Sequence, residues 1–403
     1  MTLALEGLKI LDLSRYAPGP FCTMILGDLG ADIIKIEEVG SPTGRRVEQI
    51  KGLDPTVVAK EFASQESPYN PLNRNKRSLC LNLKTPAGRE IFYRLVESAD
   101  VVVEGFRPGV TRRLGIDYPT LKAKNPRLIY CAVTGYGQDG PYCSLPGHDI
   151  NYVALSGAIA AMSLPGKPHT LPGNLVGDIA GGSLQAAIGI LAALAAREKT
   201  GRGQMVDISI TDGVIGLLSL YLSGYYEQGA LPQKEDRVTC GAAPYYNIFQ
   251  TGDGRYISLG SSEPWFFANL CRILGCEEFI PYQNDSRKAV EIKSYLAKKF
   301  LSRSQEEWFE SLTQADVPVG KVLSLDEVAD DPQVKHRRMV IEVEVGGEGK
   351  VKQGGIAIKL SETPGRVRNI GAVHPGENTS QILAELGYSQ EEIQNLKREN
   401  CVA

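Results

Sequence analysis

The sequence predicts an α/β protein in which a mostly parallel sheet, with helices on both faces, is joined to a smaller α+β domain. Three observations carry that expectation. Through the first half, β-branched runs alternate with helical stretches, the βαβ pattern of a parallel sheet. Past residue 236 the pattern changes to a hairpin followed by helices. At 403 residues the chain also exceeds the ~250–300 residues at which single cores divide.

The opening reads strand, turn, helix, strand: LKILDLS at 8–14, RYAPGP, FCTMILGDLG, then ADIIKIE at 31–37. Residues 40–75, rich in Pro, Ser, Asn and charge and without periodicity, read as a long excursion on the ligand-facing rim of the sheet. The βαβ unit then recurs. Thr85 and Pro86 occupy the cap and first-turn positions they favour ahead of AGREIFYRLVESA, DVVVEGF follows as a buried strand, and RLIYCAVTGYG is another. A long helix is expected over 178–200, opening at Asp178 and stopped by the TGRG turn. QMVDISI reads as a strand and TDGVIGLLSLYLSGYYEQG as one helix. NIFQTGDGRYISLG has two strand-like runs about a Gly-Asp-Gly turn, and helices are expected at 264–275 and 286–314. The tail from about 335 mixes loop and amphipathic helix and is expected to return to the first domain. The domains are then 1–200, a linker at 201–235, a small domain at 236–325, and a return linker with the rest of the large domain at 326–403.

Composition excludes several classes. With 42% hydrophobic and 23% charged residues the chain is an ordinary globular protein rather than a disordered or fibrous one. A net charge of −3 is too small to attract nucleic acid over the whole surface, so an anionic ligand must be met by local cations. Eight cysteines lie scattered without a CxxC pair and read as reduced thiols of a cytoplasmic protein. The four histidines (148, 169, 336, 374) have no metal-ligand spacing, so no metal is expected. No signal peptide is expected from MTLALEGLKILDLS, and the apolar run around 184–196 is too short to span a membrane.

The first βα turn is not G-x-G-x-x-G, and neither a Walker sequence nor a G-x-S-x-G elbow occurs, which disfavours NAD, ATP and a serine nucleophile. What remains is a set of ionisable residues in unusual settings. Asp178 in NLVGDIAGGS is expected at a helix start, where small residues (Gly177, Ala180, Gly181, Gly182) leave space beside the carboxylate. The N–H groups and partial positive charge of a helix start suit both a carboxylate and a developing oxyanion, although a plain helix cap also accounts for it. His148 in LPGHDINYVALSG precedes another helix, where local backbone could satisfy it. Glu263 in LGSSEPWFF, before Pro264, reads alone as a cap-region acid. Basic residues near expected loop ends are Arg45 and Arg46, then Arg74, Lys76 and Arg77 in NRNKRS, and Arg107 in EGFRPG. Such donors suit phosphate groups, although a solvated charged surface explains any one of them. Tyr136, Tyr152, Tyr245, Trp265 and Phe266 are either pocket walls or core.

APGPFCTMILGDLGADIIKIE, NRNKRSLCLNLKTPAGREIF, ADVVVEGFRPGVTRRLG, NPRLIYCAVTGYGQDGPY, KTGRGQMVDISITDG, SLDEVADDPQV and LAELGYSQEEI occur in order over nearly the whole chain. This ordered set resembles the family III CoA-transferases (CaiB/BaiF), which include the α-methylacyl-CoA racemases. The resemblance implies a Rossmann-like large domain, a small domain on long linkers, and two chains interlocked as a dimer. It also implies an enzyme whose substrate is a coenzyme A thioester, with no tightly bound cofactor. On it, Asp178 matches the family's catalytic aspartate and Arg107 an arginine near the CoA phosphates. Arg45, Arg74, Lys76, Arg77 and Tyr136 are the other candidates for holding CoA.

GHDINYVALSG and GAAPYYNIFQTGDGRYISLGSSEP are most similar to the racemase branch, where the histidine and glutamate matching His148 and Glu263 join the aspartate. Residues 40–75 and NRNKRS look more like the transferases. Racemisation needs an acid/base group on each face of a planar enolate. Transfer needs a nucleophilic carboxylate and a free carboxylic acid as acceptor. Racemase or epimerase is the first reading and CoA-transferase the alternative. A third, a non-catalytic acyl-CoA-binding subunit of a heteromer, gives no reason to retain Asp178.

Overall fold

A computed structural model describes residues 2–40, 67–163, 169–229, 238–346 and 349–403. The chain forms two compact units. The first comprises Met1–Ser156, Pro172–Leu217 and Pro332–Ala403, and the second Gly157–Leu171 and Leu218–Asp331.

In the first unit β1 (Lys9–Asp12), β2 (Asp32–Glu37), β3 (Lys76–Cys80), β4 (Val101–Glu104), β5 (Ile129–Thr134) and β6 (Met205–Ser209) make one sheet. Its order is β3-β2-β1-β4-β5-β6, and every neighbouring pair is parallel. Alternate residues supply two cores, because successive side chains on a strand point to opposite faces. Leu11, Ile34, Leu79, Val102 and Tyr130 pack on one face with Phe92 and Leu95. Ile10, Ile33, Val101, Val103 and Ile129 pack on the other with Leu26 and Ile190. Burial on both faces is why β4 and β5 read as nearly unbroken apolar runs. The strand order reverses between β1 and β4, so the loops leaving their carboxyl ends diverge and open the crevice where such sheets bind ligands.

β3 was not expected, since NRNKRS looks like a loop. It is tolerated because each of its cations meets a partner. Lys76, fully buried, donates to Asp12 Oδ2 (3.1 Å), Pro20 O (2.9 Å) and Thr23 Oγ1 (2.6 Å). Arg77 spans Asp32 and Glu385. Residues 372–379 cover the outer edge of β3, where Ala372 N–H donates to Lys76 O at 3.1 Å and Asn378 N–H to Ser78 O at 3.0 Å. Just beyond it Asn82 N–H donates to Cys401 O at 2.8 Å beside a bridge between Leu81 and Val402.

The helix expected from Asp178 starts earlier and is not uniform. A turn at Gly173–Leu175 leads into a π-helical stretch, Val176–Leu184, which continues as an α-helix over Gln185–Thr200. The run of 28 residues contains an 18-residue window of mean hydropathy 1.8 and so has the length and apolar composition to cross a bilayer, unlike the shorter run expected. Ala186, Ala187, Ile190 and Ala193 bury one of its faces against the sheet.

The helix expected over 211–229 breaks at Leu218 into Ile210–Leu217 and Ser219–Gln228, where the unit boundary also falls. The second unit has an antiparallel sheet of β7 (Tyr246–Gln250), β8 (Tyr256–Gly260) and β9 (Val319–Lys321), the last too short to leave a pattern. Its core packs Phe249, Ile257 and Leu259 against Phe267, Leu270 and Trp308. The helix expected over 286–314 is two, Ser286–Phe300 and Gln305–Gln314. The break is a capping box in which Ser304 N–H donates to Glu307 Oε2 (2.8 Å) and Glu307 N–H to Ser304 Oγ (3.3 Å). The boundaries differ from expectation: residues 157–171 join the second unit, residues 201–217 belong to the first rather than to a linker, and the main body of the second is Leu218–Asp331 rather than 236–325. The tail also forms an unexpected hairpin, β10 (Val340–Val345) with β11 (Gly349–Gly354).

Lys76→Met leaves the Asp12 carboxylate buried without its cation. It should destabilise the protein by about 3–5 kcal/mol, read as a lower urea midpoint, whereas the same change at exposed Lys84 should barely move that midpoint.

Candidate active site

Three strand ends at the switch point aim the candidate residues. After β1, Asp12 Oδ1 accepts the N–H of Ser14 at 3.0 Å, and also its hydroxyl. Gly19 lies so close that a Cβ there would stand 2.1 Å from Ser14 Oγ. Clamped between them, the turn holds Tyr16 at φ 64°, a costly conformation for a bulky residue. The exposed Tyr16 ring meets His148 edge-on, with centroids 6.4 Å apart. After β4 comes the loop of 105–109 that carries exposed Arg107. After β5, Tyr136 packs edge-on against Tyr152 at 5.1 Å. Tyr152 lies over Gly135 and Gly147, where a Cβ would come within 2.1 and 2.6 Å of its ring. His148 precedes the helix Asp149–Leu155, and its N–H donates to Asn151 Oδ1 at 3.0 Å.

Asp178 is not the helix cap. It stands within the first turn of the π-helical stretch, a rare geometry often found at functional sites. Its own N–H is taken by Asp149 Oδ1 at 2.8 Å. The surrounding glycines do not leave open space, as their size suggested. A Cβ on Gly177 would lie 2.3 Å from Asp149 Oδ1, and one on Gly181 would lie 2.9 Å from Ile210 O. They let the Asp149 carboxylate and the helix Ile210–Leu217 close in on this turn. Burial raises the Asp178 carboxyl to about 6, the Asp149 charge adds to the rise, and His148 opposes it. Burial likewise pushes the Tyr152 hydroxyl up to about 12, with Tyr136, Asp178 and Asp149 acting in the same sense and Arg107 against. Arg107, Tyr152, Asp149, His148 and Asp178 thus share one electrostatic environment. A carboxyl that titrates near neutrality beside an imidazole can both take and return a proton.

Asp149 is the residue that sequence reasoning missed. An acid in the first turn of a helix is ordinary and attracts no notice. The available signal was its adjacency to His148 ahead of an apolar helix.

The other candidates are placed differently. Glu263 belongs to the second unit, where it is exposed and stands at the N-cap position of the helix Pro264–Leu274, as the cap-region reading expects, without a side-chain cap hydrogen bond. Tyr245 is core, its hydroxyl 2.9 Å from Asn284 Oδ1, whereas Trp265 is exposed. Arg74, Lys76 and Arg77 do not present free cations to a phosphate. Arg74 is buried, with Nε and Nη2 on the Asp28 carboxylate (3.0 and 2.5 Å) and Nη1 on Gly354 O. Lys76 is sealed on Asp12 and Arg77 is held by its two acids. Arg45 and Arg46 lie outside the described residues. Among the described residues no group of three His, Cys, Asp or Glu side chains could hold a metal ion.

Known proteins are similar to this chain in sequence and in fold. Residues 5–379 match the sequence pattern of CoA-transferase family III. The chain is 34% identical to the alpha-methylacyl-CoA racemase of Homo sapiens over 402 residues, 99% of this chain and 98% of that one. It is 33% identical to the succinyl-CoA:glutarate CoA-transferase of Homo sapiens, over 95% of this chain and 86% of that one. A crystal structure of a CAIB/BAIF family protein from Brucella suis superposes with a TM-score of 0.78 at 30% identity, covering 96% of this chain and 100% of that one. With the likeness running through both the sheet and the helix of Asp178, the chain belongs to CoA-transferase family III and is an enzyme.

Proposed function

We propose that this enzyme inverts the α-carbon of a branched or substituted acyl-CoA thioester by two-base proton transfer. The observation that carries the reading is the bond from Asp178 N–H to Asp149, the neighbour of His148, together with the effect of the His148 charge on a carboxyl raised to about 6. The thioester carbonyl makes the α-hydrogen acidic. Asp178 takes that proton from one face, the C–H electron pair moves into the enolate, and protonated His148 delivers a proton to the other face. For the opposite enantiomer the two groups exchange roles. Asp149 tethers the Asp178 main chain, and Arg107 meets the anionic phosphates of CoA. Glu263 stays a candidate catalytic acid on the resemblance alone; Glu263→Gln should then lower turnover, and unchanged turnover removes it.

A second reading is favoured by the near-equal identity to a CoA-transferase. There an Asp178 oxygen attacks the thioester carbonyl and expels the CoA thiolate, which returns to the aspartyl carbonyl and releases the acid. The aspartyl-CoA thioester then passes CoA to an acceptor carboxylate by the same two steps in reverse. His148 has no required part.

We also propose a homodimer, supported by the helix Gln185–Thr200, which buries one face and leaves Ile188 59% exposed on another. Sedimentation at the mass of one chain, 43.8 kDa, would exclude it. The eight free thiols support a reducing compartment such as the cytoplasm.

Asp178→Asn should fold and lose at least about a hundredfold in turnover. With separate enantiomers of a 2-methylacyl-CoA in D₂O, His148→Ala should stop inversion in both directions. It should keep deuterium exchange, with retention, for the enantiomer whose proton Asp178 removes. A wild-type enzyme that exchanges no α-proton but moves CoA to a carboxylic acid, unaffected by His148→Ala, establishes transfer instead.

The pH dependence tests the carboxyl pair. For the enantiomer deprotonated by Asp178, kcat/KM should fall about tenfold per pH unit below a midpoint of about 6. Asp149→Asn keeps an oxygen for the Asp178 N–H but removes the neighbouring charge, so that midpoint should move down. An upward move contradicts the pairing.

A further inference from the structure

One ionisable group at this edge has no part in the chemistry above. Glu104 closes β4 at the switch point and is 2% exposed. Its Oε2 accepts the N–H of Phe106 at 2.6 Å. Tyr130, buried on neighbouring β5, faces the same carboxylate and acts to hold it down, and Thr111 acts on the Tyr130 hydroxyl in turn. Thr111 lies in the short helix Val110–Leu114, directly after the loop of 105–109. The carboxylate therefore meets both ends of the loop, bonding Phe106 at its entry and standing beside Tyr130, the neighbour of Thr111, at its exit. Between the two ends sits Arg107, whose carbonyl accepts the N–H of Val110 at 3.1 Å, followed by Gly109 at φ 85°.

The carboxylate is an expensive way to shape a loop. Burial raises it to about 7 against the pull of Phe106 and Tyr130, and the charge of Asp207 on β6 pushes the same way as burial. A folded value above the unfolded one means stability falls as pH rises from the unfolded value through about 7. An amide at this position would avoid that cost.

We propose that Glu104 is a positioning residue for Arg107, its buried carboxylate holding the loop in the shape that presents the guanidinium to the CoA phosphates. The proposal rests on the reading of Arg107 as a phosphate ligand. Calorimetric titration of coenzyme A into the full chain at pH 8 tests both. Arg107→Ala should weaken binding by roughly tenfold or more, and Glu104→Ala by roughly tenfold. In the Arg107→Ala background, Glu104→Ala should cost less than about twofold, because the loop no longer carries a cation to place. Glu104→Gln, whose amide oxygen can still accept from Phe106, should recover binding to within about threefold of wild type. The wild-type advantage over Glu104→Gln should vanish as pH falls below about 7, and the titration of CoA itself cancels in that ratio. Unchanged binding in Glu104→Ala, or an equal loss in both backgrounds, overturns the proposal. If Glu104→Ala does not fold, the pH ratio decides, and a ratio that does not vary overturns it. Unchanged binding in Arg107→Ala is a separate failure, of the reading of Arg107 itself.

Discussion

The carboxylate of Asp12 is the constraint on which much of the first unit depends. It ends the central strand, and it gathers Ser14 from the following turn, Thr23 from the first helix and Lys76 from an outer strand. Burial alone would raise this carboxyl, but the Lys76 charge and the hydroxyl and N–H donors outweigh it and hold it below the usual range. Such a pair is a weak source of stability compared with apolar packing, yet removal of one member is severe. Its value lies in geometry. With Ser14 fixed, the turn has little freedom, Tyr16 is held in its left-handed conformation, and an aromatic edge stands beside His148.

That dependence explains what could be read from the amino acids and what could not. Five of the six strands of the large sheet were legible because residues such as Val101–Val103 and Ile129–Val133 are apolar without interruption. The strand of Lys76 was not, because a cation reads as solvent-facing until its partner is known, and Asp12 lies 64 residues away. The same blindness put Arg74 and Lys76 on a phosphate. Arg107 was placed on an exposed loop after a strand, and the structure keeps it there. The glycines around Asp178 were noticed for their size and misread in purpose, since a close approach by Asp149 or by another helix leaves no trace in the local sequence. Splits at Leu218 and Ser304 were missed where apolar periodicity runs across a break that only a cap or a unit boundary defines.

The carboxyl of Asp178 owes its character to what surrounds it more than to its place on a helix. A cap residue would accept N–H groups and be pulled toward the acidic side of its range. Here the backbone N–H of Asp178 itself is spent on Asp149, whose negative charge opposes ionisation of Asp178. The charges of Asp149 and His148 act on Asp178 in opposite senses, so a change at either neighbour is felt at this carboxyl.

The edge of the large sheet has a consequence for how the protein comes to be built. Arg77 pairs with Glu385 across 308 residues of chain, and Asn82 waits for Cys401. Loops of that span close late, because their entropy must be lost before the contact returns anything. The body of the second unit is continuous from Leu218 to Asp331 and leaves the ribosome before those partners exist. During synthesis the inserted unit can therefore reach its native core while the strand of Lys76 still offers an open, unpaired edge to other nascent chains. The interval between those two events is the molecule's period of greatest exposure to aggregation.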